Sequence, residues 1–496
     1  MATTAQTQET ARTGLPPGPR RLPYLGNLLS LRQNPLDFFQ RLHSTYGDMA
    51  TIYLGKNPAV LLFRPEYVRY VLVEHPQNFS NRALVREENE NAFASEGLLT
   101  IDGERHRQQR RAVQPAFHKK RVDSYAEIIQ QHTQDLLKTW QPGQSVDFSR
   151  AMQELTLRIV SKCLFGIDLS AQLAPLGHAF DGVIGSSTSM AEDLLNIRID
   201  NPITGYGRRM AAMRQLDMLV YTMIAQRRGD KSEQSDVLGM LMSAESGDET
   251  GTKLNEKQIH DHILTFLAAG HETTAIALTW SCYLLSQYPQ VRSKLQAELS
   301  SVLNGRAPEL DDLANLPYLD WVLSESMRLY PPAWLQMRFV AQESTIGNVV
   351  LPVGTIVILS QWVMHRAPEI WQDAEVFKPE RWNPAQNQQL PSGAYFPFGG
   401  GPRMCIGMPL AQMEARLILA SILQQYTPRP MPGYVPALQP AITLRPKDHL
   451  QVTLQPLSAS NTDSEDQFAR KNAWATQTGA DRQGCLTALS RLFGLG

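Results

Sequence analysis

Cys405 stands in a glycine-rich stretch, and this stretch restricts the possible folds more than any other feature of the chain. The residues FPFGGGPRMCIGMPLAQMEARL (396–417) place three successive glycines, a proline and one more glycine around the cysteine, and a helix is predicted to follow. Glycines allow positive φ angles and a close approach of the backbone to a ligand. A buried cysteine in a turn would also explain part of the pattern. A phosphate-binding loop is disfavoured because the lysine and Ser/Thr of that motif are missing.

A thiolate ligand to iron accounts for more of these residues. Such a ligand must be deprotonated, which a metal charge and nearby backbone N–H groups favour. Arg403 lies two residues before the cysteine, where it can form a charge-assisted pair with an anionic propionate. The helix after Gly407 directs its positive end toward the sulfur. An iron site with a cysteine ligand therefore explains more of the loop than a buried cysteine or a phosphate-binding loop does.

Five residues of this loop match a known signature, F-x-x-G-x-R-x-C-x-G. The defined positions are occupied by Phe398, Gly401, Arg403, Cys405 and Gly407. On these residues the chain resembles the cytochrome P450 family. The resemblance implies the mainly α family fold with a smaller β-rich portion, and haem b held noncovalently. It also implies that Cys405 is the axial thiolate and that the other four residues surround the haem.

A stretch without proline, from about 255 to 287, predicts one long helix with AAGHETTA (268–275) in its middle. Gly270 weakens a helix interior by about 1 kcal/mol relative to alanine. Thr273 can bond the carbonyl of Ala269 one turn earlier and open the backbone ladder further. A kink, or a crossing where another helix packs against small residues, would explain these residues without any chemistry.

The same segment resembles the family's oxygen-binding groove, A/G-G-x-D/E-T-T/S. The resemblance implies that Glu272 and Thr273 help to deliver protons through water while dioxygen is activated, which is general acid chemistry. Ala269 would lie against the haem. His271 occupies the variable position of the motif, so we predict no catalytic role for it.

Glu325 and Arg328 in WVLSESMRLYPP (321–332) are three residues apart and share one helix face. Such a pair is commonly a surface ion pair worth about a few tenths of a kcal/mol. The segment is similar to the family's E-x-x-R helix, and Arg381 in FKPERW (377–382) matches the arginine that joins the pair. The resemblance implies a buried structural network behind the cysteine loop, with no direct chemical role.

Residues 103–121, GERHRQQRRAVQPAFHKKR, are strongly basic, which by itself predicts a solvated helix face. The family commonly has tryptophan or histidine and then, four residues later, an arginine that contacts a haem propionate. His106 and Arg110 fit that spacing, and Arg338 resembles another arginine near a propionate. Other cations of the stretch could form a docking surface for an acidic electron donor. They include Arg107, Arg111 and Lys119.

Composition and cysteine usage exclude several classes of protein. With 43% hydrophobic and 19% charged residues and a net charge of -1, the chain is globular and gives no hint of a nucleic-acid partner. The polar N-terminus predicts no signal peptide, and no apolar run of about 18 residues predicts a transmembrane helix. Four scattered cysteines predict no disulfide framework and a reducing, cytoplasmic setting. Cys163 and Cys282 lie in apolar helical segments and are predicted core residues.

Local patterns predict one large domain between two flexible tails. A hairpin is expected at 51–63, mainly helical structure from about 66 to 330, and short strands at 347–359. The predicted boundaries are a flexible N-terminus at 1–14, a single haem domain at 15–457, and a C-terminal tail at 458–496.

Substrate contacts are expected, by resemblance, from largely apolar positions. A hydrophobic substrate such as a fatty acid or a terpenoid fits such a lining. The positions are Leu98, Leu99, the stretch near 174–205, Phe266, Ala269, Trp334 to Met337, and Ile442 with Thr443.

The function implied is a monooxygenase that inserts one oxygen atom from O₂ into a substrate, by hydroxylation or epoxidation. Electrons would come from a ferredoxin or flavodoxin with its reductase, so NAD(P)H would serve only indirectly, and we expect a monomer. Three alternatives stay open: a peroxide-driven peroxygenase or isomerase of the same fold, a nonenzymatic haem-based gas sensor, and a structural helical protein without haem. The pair Glu272 and Thr273 argues against the first of these.

Overall fold

The computed structural model describes residues 14–81, 93–169, 173–184, 199–229, 236–245, 253–386 and 389–457. The N-terminal residues 1–13, the predicted tail 458–496 and Cys485 lie outside this part of the chain. The described α-helices are α1 (Leu28–Gln33), α2 (Pro35–Tyr46), α3 (Pro65–Arg69), α4 (Gly103–Val113), α5 (Lys119–Asp123), α6 (Ala126–Lys138), α7 (Phe148–Phe165), α8 (Leu173–Ile184), α9 (Gly205–Gly229), α10 (Val237–Ser243), α11 (Glu256–Gln287), α12 (Pro289–Leu303), α13 (Pro317–Leu329), α14 (Gln361–Met364) and α15 (Met408–Gln425).

The strands are short and belong to a minority of the chain, which confirms the predicted mainly α class with a smaller β-rich portion. They are β1 (Met49–Leu54), β2 (Asn57–Leu62), β3 (Phe79–Ser80), β4 (Ser145–Asp147), β5 (Gln336–Val340), β6 (Ser344–Ile346), β7 (Val349–Leu351), β8 (Ile356–Leu359), β9 (Tyr426–Pro430), β10 (Leu438–Pro440), β11 (Leu444–Pro446) and β12 (Gln451–Pro456).

The largest sheet in the described residues joins strands from 49–80 with strands from 336–359. Its order is β1-β2-β8-β5-β3. The predicted hairpin is present, because β1 and β2 pair antiparallel with Leu54 opposite Asn57. Strand β2 then pairs parallel with β8, and β8 pairs antiparallel with β5. Strand β5, which carries Arg338, therefore lies between β8 and β3.

The long helix α11 is the central element of the core. It runs unbroken over 32 residues, and a capping box of Asn255 and Gln258 closes its N-terminus. Helix α7 packs against its middle, where a Cβ added to Gly270 would lie 2.6 Å from Cγ2 of Val160. Gly270 therefore lies where two helices cross closely. This is the crossing against small residues that the sequence suggested as one explanation of the glycine.

Three residues for which the sequence predicted no catalytic role are buried in this core. His271 is buried, and its Nδ1 lies 2.7 Å from the carbonyl oxygen of Leu267, within hydrogen-bond distance. Cys163 and Cys282 are 2% and 3% exposed, which confirms them as core residues. Burial raises the pKa of both thiols, so they stay protonated.

Glu325 is the centre of a buried polar network. Its carboxylate accepts two hydrogen bonds from Arg328, at 2.8 and 2.9 Å, and one of 2.9 Å from Nε of Arg381. Two further donors, the backbone N–H of Lys378 and the indole of Trp382, contact it at 3.0 and 2.9 Å. The carboxylate and the Arg328 guanidinium are both 0% exposed. The structure thus brings together the three charged residues expected from the sequence.

The network continues to the cysteine loop. Arg328 donates to the carbonyl of His365 at 2.7 Å, and the backbone N–H of Phe396 donates to Nε2 of the same histidine at 3.1 Å. Burial, together with the charge of Arg328, holds the pKa of His365 well below its usual value, so the ring stays neutral and can accept this bond. The segment before Cys405 is therefore linked, through Phe396 and His365, to the buried network around Glu325.

No helix in the described ranges combines the length and the apolar character needed to cross a bilayer.

Candidate active site

Cys405 lies at a turn that ends where α15 begins. Its backbone N–H donates to the carbonyl of Phe398 at 2.9 Å, and the N–H of Met404 donates to Gly401 at 3.0 Å. Gly407 is the N-cap of α15, so the first N–H groups of the helix are directed toward the sulfur. The side chain of Cys405 is exposed, whereas Cys163 and Cys282 are buried.

The Cys405 thiol lies in a recess rather than on an open surface. Surrounding protein raises the pKa of this thiol, although it has accessible surface. Backbone N–H groups of Gly407 and Met408 and the charge of Arg110 act in the opposite direction and favour the thiolate. The sulfur is thus accessible to a ligand and already has groups around it that stabilise its anion.

Gly401 is required for a reason that the sequence did not reveal. Its φ is +62°, and an added Cβ would lie 1.8 Å from the backbone oxygen of Leu72, in the π-helical turn Tyr70–Glu74. At Gly407, by contrast, a Cβ would stay 3.9 Å from Phe117 and 4.0 Å from Sγ of Cys405. The close approach at Gly401 is therefore made to the protein's own backbone, whereas the sequence was interpreted as providing space for a macrocycle.

Arg403 is held by a carboxylate that the sequence did not single out. Its guanidinium forms an ion pair with Asp102 and also donates to the carbonyls of Ile101 and, at 3.3 Å, Leu98. Asp102 is the N-cap residue of α4, the helix that carries His106 and Arg110. The pair therefore fastens the cysteine loop to the start of that helix.

The four basic residues predicted near a propionate lie close together. Burial, and then the charges of Arg403 and Arg110, lower the pKa of His106 to about 3. Burial, and then the charge of Arg403, lower the pKa of Arg338 to about 10. Both effects require short separations, because screened charges act over a limited range.

The cluster contains more cations than anions. Arg338 is 8% exposed, and its hydrogen bonds go to the carbonyl of Met337 at 2.8 Å and to Oε1 of Gln336 at 3.3 Å. Within the part of the chain that the structure describes, Asp102 is the one carboxylate that contacts Arg110, Arg338 or Arg403. A ligand with two carboxylates would offset this positive charge.

Helix α11 carries two of the predicted site residues, Ala269 and Thr273. Ala269 is exposed and Thr273 half-buried, in a helix whose other residues are mostly buried. The Thr273 hydroxyl donates to the carbonyl of Ala269 at 2.8 Å, as predicted. A small side chain and a hydroxyl are therefore accessible on this part of α11.

Glu272 is directed to another side of α11. It is 4% exposed, and its Oε1 accepts a hydrogen bond of 2.8 Å from the hydroxyl of Thr443. Arg445 follows at 3.8 Å. The expected acid and alcohol are thus adjacent in the chain but contact different surroundings, and Arg445 was not predicted.

The predicted substrate positions have different environments. Leu98, Phe266 and Met337 are buried, whereas Leu99 and Ile442 are 65% and 46% exposed. Trp334 is 1% exposed, donates from its indole to Ala441 at 2.9 Å and packs against Phe39. Its contacts are those of a core residue. Part of the predicted stretch near 174–205, residues 185–198, lies outside the described chain.

A family model for cytochrome P450 matches residues 16–453. The chain belongs to the cytochrome P450 family. This P450 is 35% identical over 456 residues to cyclooctatin synthase of Streptomyces melanosporofaciens, and the matched region covers 92% of this chain and 97% of the relative. It is 36% identical to cyclooctat-9-en-7-ol 5-monooxygenase of the same organism, with 85% and 90% covered.

Two further comparisons agree. Pentalenene oxygenase of Streptomyces avermitilis is 32% identical to this P450, with 84% of this chain and 92% of the relative covered. A solved cyanobacterial structure, described as retinoic acid bound CYP120A1, superposes with a TM-score of 0.78 at 27% identity, covering 90% of this chain and 100% of that one. The family resemblance and the P450 fold predicted from the sequence are confirmed.

The family assignment makes this protein an oxidoreductase, a haem-thiolate monooxygenase that incorporates oxygen from O₂. The described residues fit the haem that the family requires. They provide an accessible thiol at a helix N-terminus, a cationic cluster suited to two propionates, and an accessible small residue, Ala269, on α11.

Proposed function

We propose that this P450 oxidises a terpenoid or a similarly apolar substrate by hydroxylation or epoxidation. The observation that carries the proposal is the set of relatives covering most of the chain, whose names refer to cyclooctatin, cyclooctat-9-en-7-ol and pentalenene. The buried apolar side chains of Leu98, Phe266 and Met337 support a hydrophobic class of substrate. A fatty acid is the alternative within that class.

In this proposal the haem is haem b, held by Cys405 and by the cationic cluster. Arg110, Arg338 and Arg403 would bind the propionates, and His106 would donate a hydrogen bond to them from its ring N–H. Bound haem supplies oxygen activation, which a thiolate ligand promotes.

The proton chemistry is assigned to Glu272 and Thr273. The Thr273 hydroxyl is partly accessible and donates to the carbonyl of Ala269, so a water that reaches it can exchange this bond for one of its own. The Glu272 carboxylate, on the neighbouring side of α11, can take up a proton and release it again. Together they would provide the protons that the reaction consumes.

Electrons are proposed to arrive from a ferredoxin or flavodoxin with its reductase, and ultimately from NAD(P)H. The exposed cations of α4 and α5 could attract such an acidic partner. Arg107 and Lys119 are 67% and 87% exposed, but each also pairs with an acid on its own helix, Glu104 and Asp123. Their contribution would therefore be to the rate of encounter more than to affinity.

The substrate proposal is tested with purified haem-loaded protein and a panel of cyclic terpenes, terpene alcohols and fatty acids. Binding is followed by the spin-state change of the haem, and product is then measured with a ferredoxin and its reductase. We expect spin-state shifts and oxygenated products from terpenes or terpene alcohols. Turnover of fatty acids with no response to any terpenoid would overturn the assignment.

Replacing Thr273 by alanine is expected to divert reducing equivalents into peroxide. Losing the hydroxyl removes a proton relay, and general acid groups typically contribute about 10²- to 10⁴-fold to rate. We therefore expect at least about a tenfold fall in product formed per NAD(P)H consumed, with peroxide accounting for the difference.

Thr222→Ala is the matched control for this variant. Thr222 also donates to the carbonyl four residues earlier, at 2.7 Å from Met218, but it is exposed on α9. Its loss should leave coupling unchanged. If the Thr273→Ala and wild-type proteins formed the same amount of product per NAD(P)H consumed, the proposed role of this hydroxyl would be contradicted.

A further inference from the structure

His260 lies between two carboxylates in the second turn of α11, although its side chain is only 6% exposed. Its Nδ1 is 3.0 Å from Oδ1 of Asp261, and its Nε2 is 3.1 Å from Oδ1 of Asp217 on α9. A neutral imidazole has one N–H, whereas the charged ring has two. Carboxylate oxygens beside both ring nitrogens therefore fit the imidazolium, since a neutral ring would place a lone pair against one of the anions.

The same ring packs on α9. It stacks on Tyr221 with the ring centroids 4.6 Å apart and 26° between the planes. Tyr221 follows Asp217 by four residues, so the two side chains share one face of α9. We refer to His260, Asp217, Asp261 and Tyr221 together as the His260 contact. It joins α9 to α11 through an ion pair and an aromatic stack.

Asp261 is the fixed side of this contact. It is 2% exposed, and its Oδ2 accepts hydrogen bonds from the backbone N–H of Glu96 at 2.8 Å and from the ammonium of Lys257 at 2.7 Å. The side chain of Asp217, by contrast, is 37% exposed. Asp217 is therefore the carboxylate that can move away from the ring.

We propose that the His260 contact is a proton-dependent connection, which holds α9 against α11 while the ring is charged and releases it when the ring loses its proton. Asp261 keeps the remaining N–H on Nδ1, because its carboxylate is held in place. The proton is therefore lost from Nε2 to solvent, and the lone pair left there faces Asp217 at 3.1 Å. Repulsion between this lone pair and the carboxylate moves this part of α9 away from α11.

The connection is lost as the pH rises. Burial lowers the pKa of His260, but the hydrogen bonds and charges of Asp217 and Asp261 outweigh burial and raise this pKa above the usual 6.5. A histidine whose pKa is raised by folding contributes its full stabilisation below its unperturbed pKa and loses it as the pH passes through the raised value. The connection is therefore complete below pH 6.5 and weakens above it. The other titratable and charged groups around the contact are Glu256 and Lys257 of α11, Tyr221 of α9 and Glu96 of segment 94–101.

Hydrogen exchange measures the connection in the haem-loaded protein. Amide protection of α9 around 213–221 is compared at about pH 6 and about pH 8.5, after correction for the intrinsic effect of pH on exchange. We expect the protection to fall by about tenfold at the higher pH, because a hydrogen bond between charged groups is lost. The protection of α7 in the core is the internal reference and should not change.

Two variants separate the charge of the ring from its packing. His260→Gln has no charge at any pH, so the protection of α9 should be low at both pH values. Asp217→Asn keeps the shape of the side chain, and its amide can either accept a hydrogen bond from the ring or donate one to it. In that variant α9 should stay protected at both pH values. His43→Gln is the matched control, because His43 also lies 3.0 Å from a carboxylate, Glu369, but on α2, so its loss should leave the pH dependence unchanged.

A second readout rests on the proposed function. The start of α9 belongs to the stretch near 174–205 that was predicted to contact substrate. Release of a bound terpenoid, followed by the spin state of the haem, should be about tenfold faster at the higher pH in the wild type but not in Asp217→Asn. If no terpenoid changes the spin state at any pH, the proposed function fails, while hydrogen exchange still decides on the connection. Equal α9 protection at both pH values in the wild type, or a wild-type pH dependence in the Asp217→Asn protein, would overturn it.

Discussion

Replacing Glu325 by alanine is expected to yield protein with little or no haem. The variant would leave two guanidinium groups, Arg328 and Arg381, buried without their carboxylate. Breaking such a buried pair typically costs about 3–5 kcal/mol. That is a large share of the about 5–15 kcal/mol that keeps a domain folded. Haem content per protein and the free energy of unfolding in denaturant measure the effect.

The reason that haem is lost lies in the connection to the cysteine loop. Arg328 donates to the carbonyl of His365, and Nε2 of His365 accepts a hydrogen bond from the N–H of Phe396. The position of the cysteine loop therefore depends on the buried network around Glu325. Glu66→Ala is the control, because Glu66 pairs with Arg64 where both side chains are nearly half exposed. Such surface pairs contribute only about 0–1 kcal/mol. Full haem occupancy in the Glu325 variant would show that the network is not needed.

Replacing Gly401 by alanine is expected to destabilise the fold by about 3 kcal/mol or more. A left-handed φ costs a residue with a side chain about 1–2 kcal/mol, and the new Cβ would meet the backbone oxygen of Leu72. Backbone cannot rotate away as a side chain can, so either the cysteine loop or the turn Tyr70–Glu74 must shift, at a further cost of about 1–3 kcal/mol. Denaturant unfolding and haem content test this.

Gly433→Ala separates the two contributions. Gly433 has a φ of +77° with no other atom within 4 Å of its added Cβ, so only the cost of the backbone angle applies. We expect a loss of about 1–2 kcal/mol there. If the Gly401 and Gly433 variants lost the same free energy, the contact with Leu72 would contribute nothing.

The sequence predicted those features that depend on neighbours along the chain. The cysteine loop, the long helix and the E-x-x-R pair each carry their signal within one continuous stretch of the chain, and the hairpin at 51–63 is set by its own turn. These elements could be predicted because hydrophobic period, turn residues and motif spacing are local properties.

Contacts between distant parts of the chain could not be predicted in this way. Asp102 pairs with Arg403 across 301 residues, and Thr443 bonds Glu272 across 171. Asp102 is recognisable as an N-cap candidate, but not as the partner of an arginine in the cysteine loop. Gly401 shows the same limit, since its restriction comes from Leu72, which only the folded chain brings near.

Trp334 and Leu99 show that the burial of single side chains could not be predicted from the family resemblance. Both were assigned to a substrate pocket by resemblance, yet one is 1% exposed in the core and the other 65% exposed. A family position carries over the fold reliably, but the burial of an individual side chain depends on the neighbours that this chain places around it.

The central claim is that the sulfur of Cys405 binds the haem iron, and a spectrum tests it directly. Wild-type and Cys405→Ala proteins are reduced, exposed to carbon monoxide and compared by absorption. We predict the long-wavelength Soret band of a thiolate-ligated haem for the wild type and its complete loss in the variant. The same thiolate band in both proteins would contradict the claim.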